Sequence, residues 1–434
     1  MQHYWLSKSI NCYQSTLFSK KCPSKFIKLF TFFLSVSVFF SYPADALEGG
    51  DFSAEVGLEG RFFVEEGLQG QDRFQPSIRT LLEYQAQYDD NDFHVAVFGR
   101  VDKEDDERSH ADLREAYWTH VADGWEMRLG VSKVFWGVTE SRHLVDIINQ
   151  TDLVENIDAE DKLGQPMLKL AVEREWGNLD FFWLPYFRER TFPGSDGRLN
   201  SLPFHVDTDN AVFESSAENW HSDFALRYAV SIDSMDLAIS HFSGTSRNPF
   251  LMFNGNFADP SFVPVYKQID QTGIELQYII DEWLLKFEGI TSSGENQRYS
   301  AAVFGFEYTQ VGVFDTYADL GWIVEYLFDD RRNQKDPAKI AQHSFERDVF
   351  LGWRYAFNDM DSSEVLAGVI YDPKTEESLF SLEYSQRLAN DLKLFVEIRA
   401  FQGAESQSQT AAEDLKTLYL KDEDYLQLEL VKYF

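Results

Sequence analysis

Cysteine is almost absent from this chain of 434 residues, which contains only Cys12 and Cys22. Because both precede residue 46, the rest of the chain has no thiol for a disulfide, for nucleophilic catalysis or for metal binding. Basic residues are also scarce, with 39 Lys and Arg against 72 Asp and Glu. Nucleic-acid binding needs clustered basic residues at the phosphates, so this balance argues against DNA or RNA as a partner.

Long hydrophobic runs are missing after Phe52, where no stretch approaches the roughly 18 apolar residues of a membrane-spanning helix. The chain nevertheless carries 38 Phe, 20 Tyr and 10 Trp, which is more aromatic surface than an acidic disordered chain holds. These side chains must face a core or a lipid phase. The length alone would suggest two or three soluble domains, although large β-barrels exceed this size as single domains.

The first 46 residues have the pattern of a secretory signal peptide. Five lysines between Lys8 and Lys28 precede an uncharged run over 29–40, and small residues follow at 44–46, where a signal peptidase cleaves. The run is about a dozen residues long, against the roughly 20 that span a bilayer, so a cleaved signal is favoured over a membrane anchor. We predict that residues 1–46 are removed and that 47–434 form one domain. That domain holds 34 basic and 71 acidic residues, because five Lys and one Asp leave with the signal.

Alternation of apolar and polar residues recurs through the rest of the chain and predicts β-strands with one apolar and one charged face. In residues 392–400, for example, apolar positions alternate with Lys393, Glu397 and Arg399. We predict about 18 strands, whose lengths bracket the roughly 9 to 11 residues that cross a bilayer at a tilt. They cover 52–64, 76–88, 93–101, 113–121, 125–132, 166–173, 179–187, 222–231, 235–243, 265–279, 283–291, 299–309, 316–328, 347–357, 363–371, 378–387, 392–401 and 425–434.

The connections between these strands alternate in length. Short turns, such as 122–124 and 389–391, alternate with longer connections, such as 133–165. Short periplasmic turns, long extracellular loops and an even strand number are typical of outer-membrane barrels. A β-sandwich has no reason to sort its loops by length, and a propeller or solenoid would show a fixed repeat, which is absent. The prediction is therefore an all-β, transmembrane, antiparallel up-and-down β-barrel of about 18 strands, with 16 as the alternative.

The last ten residues, 425–434, place Leu426, Leu428, Leu430 and Phe434 on one strand face. This segment resembles the closing strand of Gram-negative outer-membrane proteins, whose terminal Phe is recognised by the barrel-assembly machinery. Lys432 departs from the apolar or aromatic residue that is usual at its position. The resemblance implies that Phe434 is an assembly signal and that the protein is located in the outer membrane of a Gram-negative bacterium.

A second resemblance covers residues 113–152, about a tenth of the chain. An EAY strand, a Trp136-Gly137 dipeptide and a D-x-x-N-x-x-D loop at Asp146, Asn149 and Asp152 are similar to a stretch in several poorly characterised proteobacterial porin-like families. The resemblance implies the porin-like class and nothing finer about the substrate.

Strand parity predicts that many charged side chains point into the barrel. Charge inside a membrane barrel needs water or an opposite charge, so this pattern predicts a wet lumen with ion pairs across it. The alternative is a plugged barrel in which the charges only neutralise each other. The lumen-facing charges are assigned to Glu59, Arg61, Arg79, Glu83, Arg100, Arg128, Glu325 and Arg399.

The connection 133–165 is the third on the predicted outer side and is too long for a simple link. In porins the third outer loop often narrows the channel, so we expect this connection to form a constriction whose charges set selectivity. An ordinary surface loop is the alternative. The residues expected to line the constriction are Arg142, His143, Asp146, Asp152, Glu155 and Asp158.

Together these patterns predict an outer-membrane porin-like channel for passive or weakly selective diffusion of small hydrophilic solutes, mildly favouring cations. One alternative is a transporter of lipid or hydrophobic compounds, suggested by the inward parity of Phe98, Phe182, Phe242 and Phe395. The other is a structural or adhesive barrel with a plugged lumen. Expected partners are outer-membrane lipid and lipopolysaccharide, the barrel-assembly machinery and small solutes. The oligomeric state is open, with a homotrimer as one candidate.

No cofactor, metal or catalytic residue is expected. The nine His form no paired metal-binding spacing. His241 and Ser243 share a strand face, as nucleophilic catalysis would need, and resemble the His-x-Ser of outer-membrane phospholipase A. The residues that follow, 244–247, differ from that family's Asn-Gly-Arg, and the predicted barrel is much larger. We therefore expect that the protein is not an enzyme.

Overall fold

The computed structural model describes residues 50–200, 202–294, 297–331, 345–403 and 419–434. In these residues, 18 strands form one large sheet and three short strands form a separate one. The predicted signal peptide, residues 1–46, lies outside the described residues. None of the helices in the described ranges is both long enough and apolar enough to cross a membrane.

The large sheet is built from strands of 8 to 15 residues whose two faces differ in polarity. It consists of β1 (Gly50–Phe63), β2 (Phe74–Tyr88), β3 (Asn91–Asp102), β4 (Ala111–Ala122), β5 (Trp125–Ser132), β6 (Gln165–Arg174), β7 (Gly177–Leu184), β9 (Asp223–Ile232), β10 (Met235–Thr245), β13 (Gln268–Ile280), β14 (Trp283–Gly294), β15 (Gln297–Gln310), β16 (Asp319–Asp329), β17 (Arg347–Ala356), β18 (Glu364–Tyr371), β19 (Ser378–Ala389), β20 (Leu392–Gln402) and β21 (Tyr425–Tyr433).

The sheet closes on itself because β1 pairs with both β2 and β21. Every pair of neighbouring strands in it is antiparallel, and the chain passes around the barrel in sequence order. At the closing seam, the amide of Phe434 donates a hydrogen bond to the carbonyl oxygen of Ala54 at 2.9 Å. A closed ladder leaves no strand edge unpaired. The prediction of an 18-stranded up-and-down barrel is confirmed, and the alternative of 16 strands is wrong.

The connections differ in length between the two ends of the barrel. At one end β2 and β3, β4 and β5, and β9 and β10 are joined by two residues each, whereas at the other end the connections include 133–164 and 185–222. Among the described strands the alternation has an exception at the end that carries the long connections, where β14 ends at Gly294 and β15 begins at Gln297.

A small additional sheet, formed by β8 (Val212–Phe213), β11 (Phe250–Phe253) and β12 (Phe262–Tyr266), lies within the long connections. β12 pairs antiparallel with β11 and parallel with β8. The sequence did not predict these strands, because two to five residues are too few to show a period of two.

The outer surface of the barrel is apolar. On β1, the outward side chains of Phe52, Leu58 and Phe62 are 53%, 57% and 45% exposed. Near the turn end, aromatic rings gather on this surface, and the ring of Trp283 lies 5.0 Å and 4.7 Å from those of Phe306 and Tyr308. An apolar band with aromatic residues at its boundary is the arrangement of barrels that span a bilayer.

Candidate functional site

The connection between β5 and β6, residues 133–164, folds into the barrel and is called the inserted segment below. Its apolar side chains, among them Trp136, Val145 and Ile148, are buried in one cluster with the inward-facing Phe182 and Phe242 of the barrel wall. The apolar core of the molecule therefore lies inside the barrel, between this segment and the wall.

Asn149, the centre of the D-x-x-N-x-x-D motif, ties the two ends of the inserted segment together. Its Oδ1 accepts a hydrogen bond from the amide of Val134 at 2.8 Å. Its Nδ2 donates to the carbonyl oxygens of Ser132 and Leu163, each at 2.9 Å. One buried amide side chain thus satisfies backbone groups that enter and leave the segment.

The two aspartates of the same motif fasten the segment through buried ion pairs. Asp146 lies 3.0 Å from the Nζ of Lys162, within the segment. Asp152 lies 2.7 Å from a guanidinium nitrogen of Arg114 on β4 and accepts a hydrogen bond from the hydroxyl of Thr191 at 2.5 Å. The D-x-x-N-x-x-D motif, on which the porin-like resemblance rested, therefore holds the inserted segment in place through hydrogen bonds and ion pairs.

The Trp-Gly dipeptide of the resemblance also has a structural account. The Trp136 ring packs edge-on against Phe182, with ring centroids 5.6 Å apart. Gly137 has a φ of +145°, and a Cβ there would lie 2.8 Å from the His143 ring and 3.1 Å from the Glu288 carboxylate. Only glycine avoids both the strained backbone and the collision.

Two carboxylates on the far wall hold the first half of the inserted segment. Glu288 of β14 accepts hydrogen bonds from the amides of Val138 and Leu144, both at 2.7 Å. Glu325 of β16 accepts from the amide of Ser141 at 2.8 Å. Counting around the 18-stranded barrel, β16 is the eighth strand from β5, so the segment crosses the lumen. Several amide donors compensate each buried charge.

An ion-pair network on the opposite wall holds the second half. Glu155 lies 2.7 Å from Arg100 of β3 and 2.7 Å from the ring of His110. Glu59 of β1 lies 2.9 Å from Arg100 and 2.8 Å from Arg108. Burial raises the pKa of Glu155, but the charge of Arg100 and the hydrogen bond from His110 outweigh burial and hold it well below its usual range.

Two more wall arginines complete the attachment. Arg399 of β20 lies 2.9 Å from the carboxylate of Asp158. Arg61 of β1 donates a hydrogen bond to the backbone oxygen of Glu155 at 2.8 Å. Five of the predicted lumen-facing charges, Glu59, Arg61, Arg100, Glu325 and Arg399, are thus placed in this attachment.

The other three predicted lumen-facing charges pair along the wall. Arg79 bonds to acidic side chains of β1 and β21 at 3.2 Å and 2.5 Å. The guanidinium of Arg128 lies 4.4 Å from the ring centroid of Tyr117, and Glu83 lies 4.0 Å from the His94 ring.

His143 and Arg142 lie where the inserted segment meets both the wall and an outer cavity. The His143 ring lies 3.4 Å from Glu160 and 3.8 Å from Glu288. Burial lowers the pKa of His143, but the two acids outweigh burial and raise it to about 10. Burial lowers the pKa of Arg142 to about 10, and its guanidinium lies 6.0 Å from the Phe345 ring.

The four inward-facing phenylalanines take part in packing. Phe182 and Phe242 lie in the apolar cluster described above. The guanidinium carbon of Arg114 lies 4.6 Å from the ring centroid of Phe98, and the Nζ of Lys393 lies 4.6 Å from that of Phe395.

His110, Asp152 and Glu155 bring three potential metal ligands within 4.8 Å of one another. Arg114 and Arg100 contact the same carboxylates, at 2.7 Å each. Because guanidinium groups already supply the positive charge, these residues are accounted for as part of the ion-pair network.

The outer cavity, of about 640 Å³, lies between the inserted segment and the long connections. Arg142 and Arg190 border it. Most of its wall is apolar and includes Leu153, Ile157, Phe192, Phe250, Ile290 and Tyr299.

Three important residues fell outside the predicted site. Glu288 has inward parity, which marks it as lumen-facing but not as an anchor. Arg114 lies within the stretch 113–152, but the resemblance of that stretch to porin-like families assigns no role to its side chain. Arg190 lies in an irregular connection that has no periodic signal.

His241 and Ser243 lie on the outer, exposed face of β10. The Nδ1 of His241 lies 3.0 Å from the hydroxyl oxygen of Thr272 on β13.

No protein-family model matches the chain, and no curated protein matches it. Among solved structures, it is similar to Pseudomonas aeruginosa OccD3 (OpdP), with 11% identity and a TM-score of 0.49 over 89% of this chain and 91% of that one. It is also similar to Pseudomonas putida OprB, with 11% identity and a TM-score of 0.43 over 89% and 94%. A double mutant of Rh. blastica porin is similar as well, with 11% identity and a TM-score of 0.41 over 89% of this chain and 100% of that one. The strand pairing within this chain establishes its barrel fold.

Proposed function

We propose that this protein is a porin-like channel in the outer membrane of a Gram-negative bacterium, through which small hydrophilic solutes diffuse passively. The observation that carries the proposal is the inserted segment, which crosses the lumen of an 18-stranded barrel and is bonded to opposite walls. A barrel of this size has room for a water-filled path beside such a segment. A segment that is fixed at both walls reduces the width of that path and keeps the width constant.

The predicted constriction residues have different roles in this proposal. Asp152, Glu155 and Asp158 fix the segment through ion pairs with wall arginines. Arg142 borders the outer cavity, so it presents charge to an entering solute, whereas Asp146 is buried there in its ion pair with Lys162. The field of such groups sets which solutes concentrate at the constriction.

A mild preference for cations belongs to the same proposal. The domain after residue 46 has 71 acidic and 34 basic residues, and this excess attracts cations. The preference is mild because wall arginines already pair with acids of the inserted segment. A reversal potential measured across a KCl gradient tests it, and a potential of the anion-selective sign would overturn the preference alone.

The proposed partners follow from the surface of the barrel. The apolar belt faces outer-membrane lipid, acidic loops suit divalent-cation bridges to lipopolysaccharide, and the terminal Phe434 suits the barrel-assembly machinery. A homotrimer is the proposed assembly, and chemical cross-linking in native membranes tests it.

Conductance across planar bilayers and swelling of liposomes in graded sugars test the channel directly. Glu288→Ala removes the acceptor for the amides of Val138 and Leu144, so we expect it to free the segment and to raise conductance above wild type. Glu83→Ala is the control, because it removes a lumen carboxylate that lies beside His94 on the wall, and its conductance should match wild type.

Heat-modifiable migration in gel electrophoresis shows whether each variant forms a barrel. Where Glu288→Ala does not, Glu325→Gln replaces it, because it weakens the anchor at Ser141 and keeps the side-chain shape. A folded protein that inserts but passes neither ions nor sugars would overturn the channel and favour a plugged, structural barrel.

A further inference from the structure

The wall of the outer cavity is unusual for a path that carries only hydrophilic solutes. Its apolar side chains, such as Phe192, Phe250 and Ile290, surround a space of about 640 Å³. This volume is in the range of sites that hold small organic molecules. The cavity therefore suits a ligand that has an apolar body.

The wall also carries carboxylates, which have their own partners. Those of Asp146, Asp158 and Glu160 lie within 3.4 Å of Lys162, Arg399 and His143, and those of Asp348, Asp372 and Glu377 accept hydrogen bonds from neighbouring amide or hydroxyl groups.

The second requirement, a cation for the ligand's charged group, is met by an arginine that has no carboxylate partner. In the part of the chain that the structure describes, Arg190 has no carboxylate within ion-pair distance. Its guanidinium donates to the amide oxygens of Asn248 at 2.9 Å and Gln150 at 3.3 Å. In contrast, Arg247 on the same wall lies 2.7 Å from the carboxylate of Asp223. A half-buried cation that is held by neutral oxygens is stabilised when an anion pairs with it.

Arg142 is a second cationic side chain that borders the same cavity. Burial lowers the pKa of Arg190 to about 10. Burial and the charges of Arg331 and Arg190 outweigh the opposing charge of Asp329 and lower the pKa of Arg142 to about 10 as well. Both groups stay protonated at neutral pH.

We propose that the outer cavity binds an amphiphilic organic anion, with its anionic group at Arg190 and its apolar body against the aliphatic and aromatic wall. This inference rests on the proposed function, because it makes the cavity a binding chamber on the solute path before the constriction.

The test uses the purified full barrel in detergent and compares four probes by calorimetry. Phenylbutyrate, phenylbutanol and phenylbutylamine share one apolar body and differ in head group, and acetate has the anion without the body. We expect phenylbutyrate to bind at least about tenfold tighter than the alcohol or the amine, as a hydrogen bond to a charged group provides. It should bind about a hundredfold tighter than acetate, because acetate buries little apolar surface.

Arg190→Gln should reduce phenylbutyrate affinity to that of the alcohol, and Arg190→Lys should retain part of the difference. Arg174→Gln is the control, because Arg174 is exposed at the turn end and bonds only to backbone oxygens in the described structure. Heat-modifiable migration confirms that each variant is folded. Equal affinities for phenylbutyrate and the alcohol, an unchanged affinity in Arg190→Gln, or acetate binding as tightly as phenylbutyrate would overturn the site.

Conductance of the same preparations separates this inference from the proposed function. A conducting channel that does not discriminate among the probes overturns the amphiphile site and leaves the channel intact. A silent barrel that binds phenylbutyrate selectively overturns the channel and leaves the site as that of a receptor.

Discussion

At the scale of single residues, removing one partner of a buried ion pair in the lumen costs far more than removing one on the surface. The side chain of Arg100 is 5% exposed and lies 2.9 Å from Glu59 and 2.7 Å from Glu155. Breaking such a buried pair costs about 3–5 kcal/mol, because an uncompensated charge remains. We expect Arg100→Ala to lower the free energy of unfolding by about this amount in guanidinium titrations of the barrel in detergent.

The control for this prediction is Arg73→Ala. Arg73 pairs with Glu65 at 3.3 Å, and the two side chains are 56% and 60% exposed. Exposed pairs contribute about 0–1 kcal/mol, so the change should stay within that range. Similar losses for the two variants would show that the lumen pairs are as well solvated as surface ones.

His143 gives the attachment of the inserted segment a defined pH dependence. Burial lowers its pKa, but Glu160 and Glu288 raise it from 6.5 to about 10. A pKa that is raised on folding stabilises the protein fully below about pH 6.5, and the stabilisation is lost as the pH rises through about 10. The difference in melting temperature between wild type and His143→Gln should therefore be largest near pH 6 and should vanish above about pH 10. A difference that grows with pH would contradict this assignment.

At the scale of elements, the inserted segment packs through its own apolar side chains, so we expect that it can be released without opening the barrel. Trp136 is 3% exposed and packs on Phe182. Truncating a buried Trp to Ala costs about 3–5 kcal/mol, and here the loss falls on the contact between segment and wall. We expect Trp136→Ala to speed proteolytic cleavage within 133–164 while the barrel keeps its heat-modifiable migration. Trp220→Ala, at a side chain that is 74% exposed, should leave the cleavage rate unchanged.

The difference between the regular strands and the irregular inserted segment explains what the sequence could predict. Strand β5 has the bounds 125–132 that its alternation predicted, and the other strands of the large sheet differ from their predicted bounds by at most three residues at either end. Successive side chains of a strand point to opposite faces, so the position of a residue in the alternating pattern also predicted that Arg100 and Glu325 point inward. The partners of these residues lie in the inserted segment, which has no period. Its crossing of the lumen depends on contacts such as Glu288 with the amide of Leu144, which bring together residues 144 positions apart.

At the scale of the whole molecule, we expect closure of the barrel and its assembly in the membrane to depend on different features of residues 425–434. Phe434 is 71% exposed, and its backbone pairs with that of Ala54 at 2.9 Å and 3.3 Å. Deleting Phe434 removes these two hydrogen bonds but leaves the β1–β21 ladder from Glu55 to Phe63 intact. At about 1 kcal/mol per bond, refolding in detergent should survive.

In cells we expect the same deletion to lower the amount of assembled barrel in outer-membrane fractions several-fold, because the assembly machinery would lose its proposed recognition residue. Phe257→Ala is the matched control, since that ring is 90% exposed on an outer connection. Full assembly of the deletion variant in cells would show that Phe434 is not the signal. Loss of refolding in detergent would instead show that the last residue is required for closure itself, because no assembly machinery is present there.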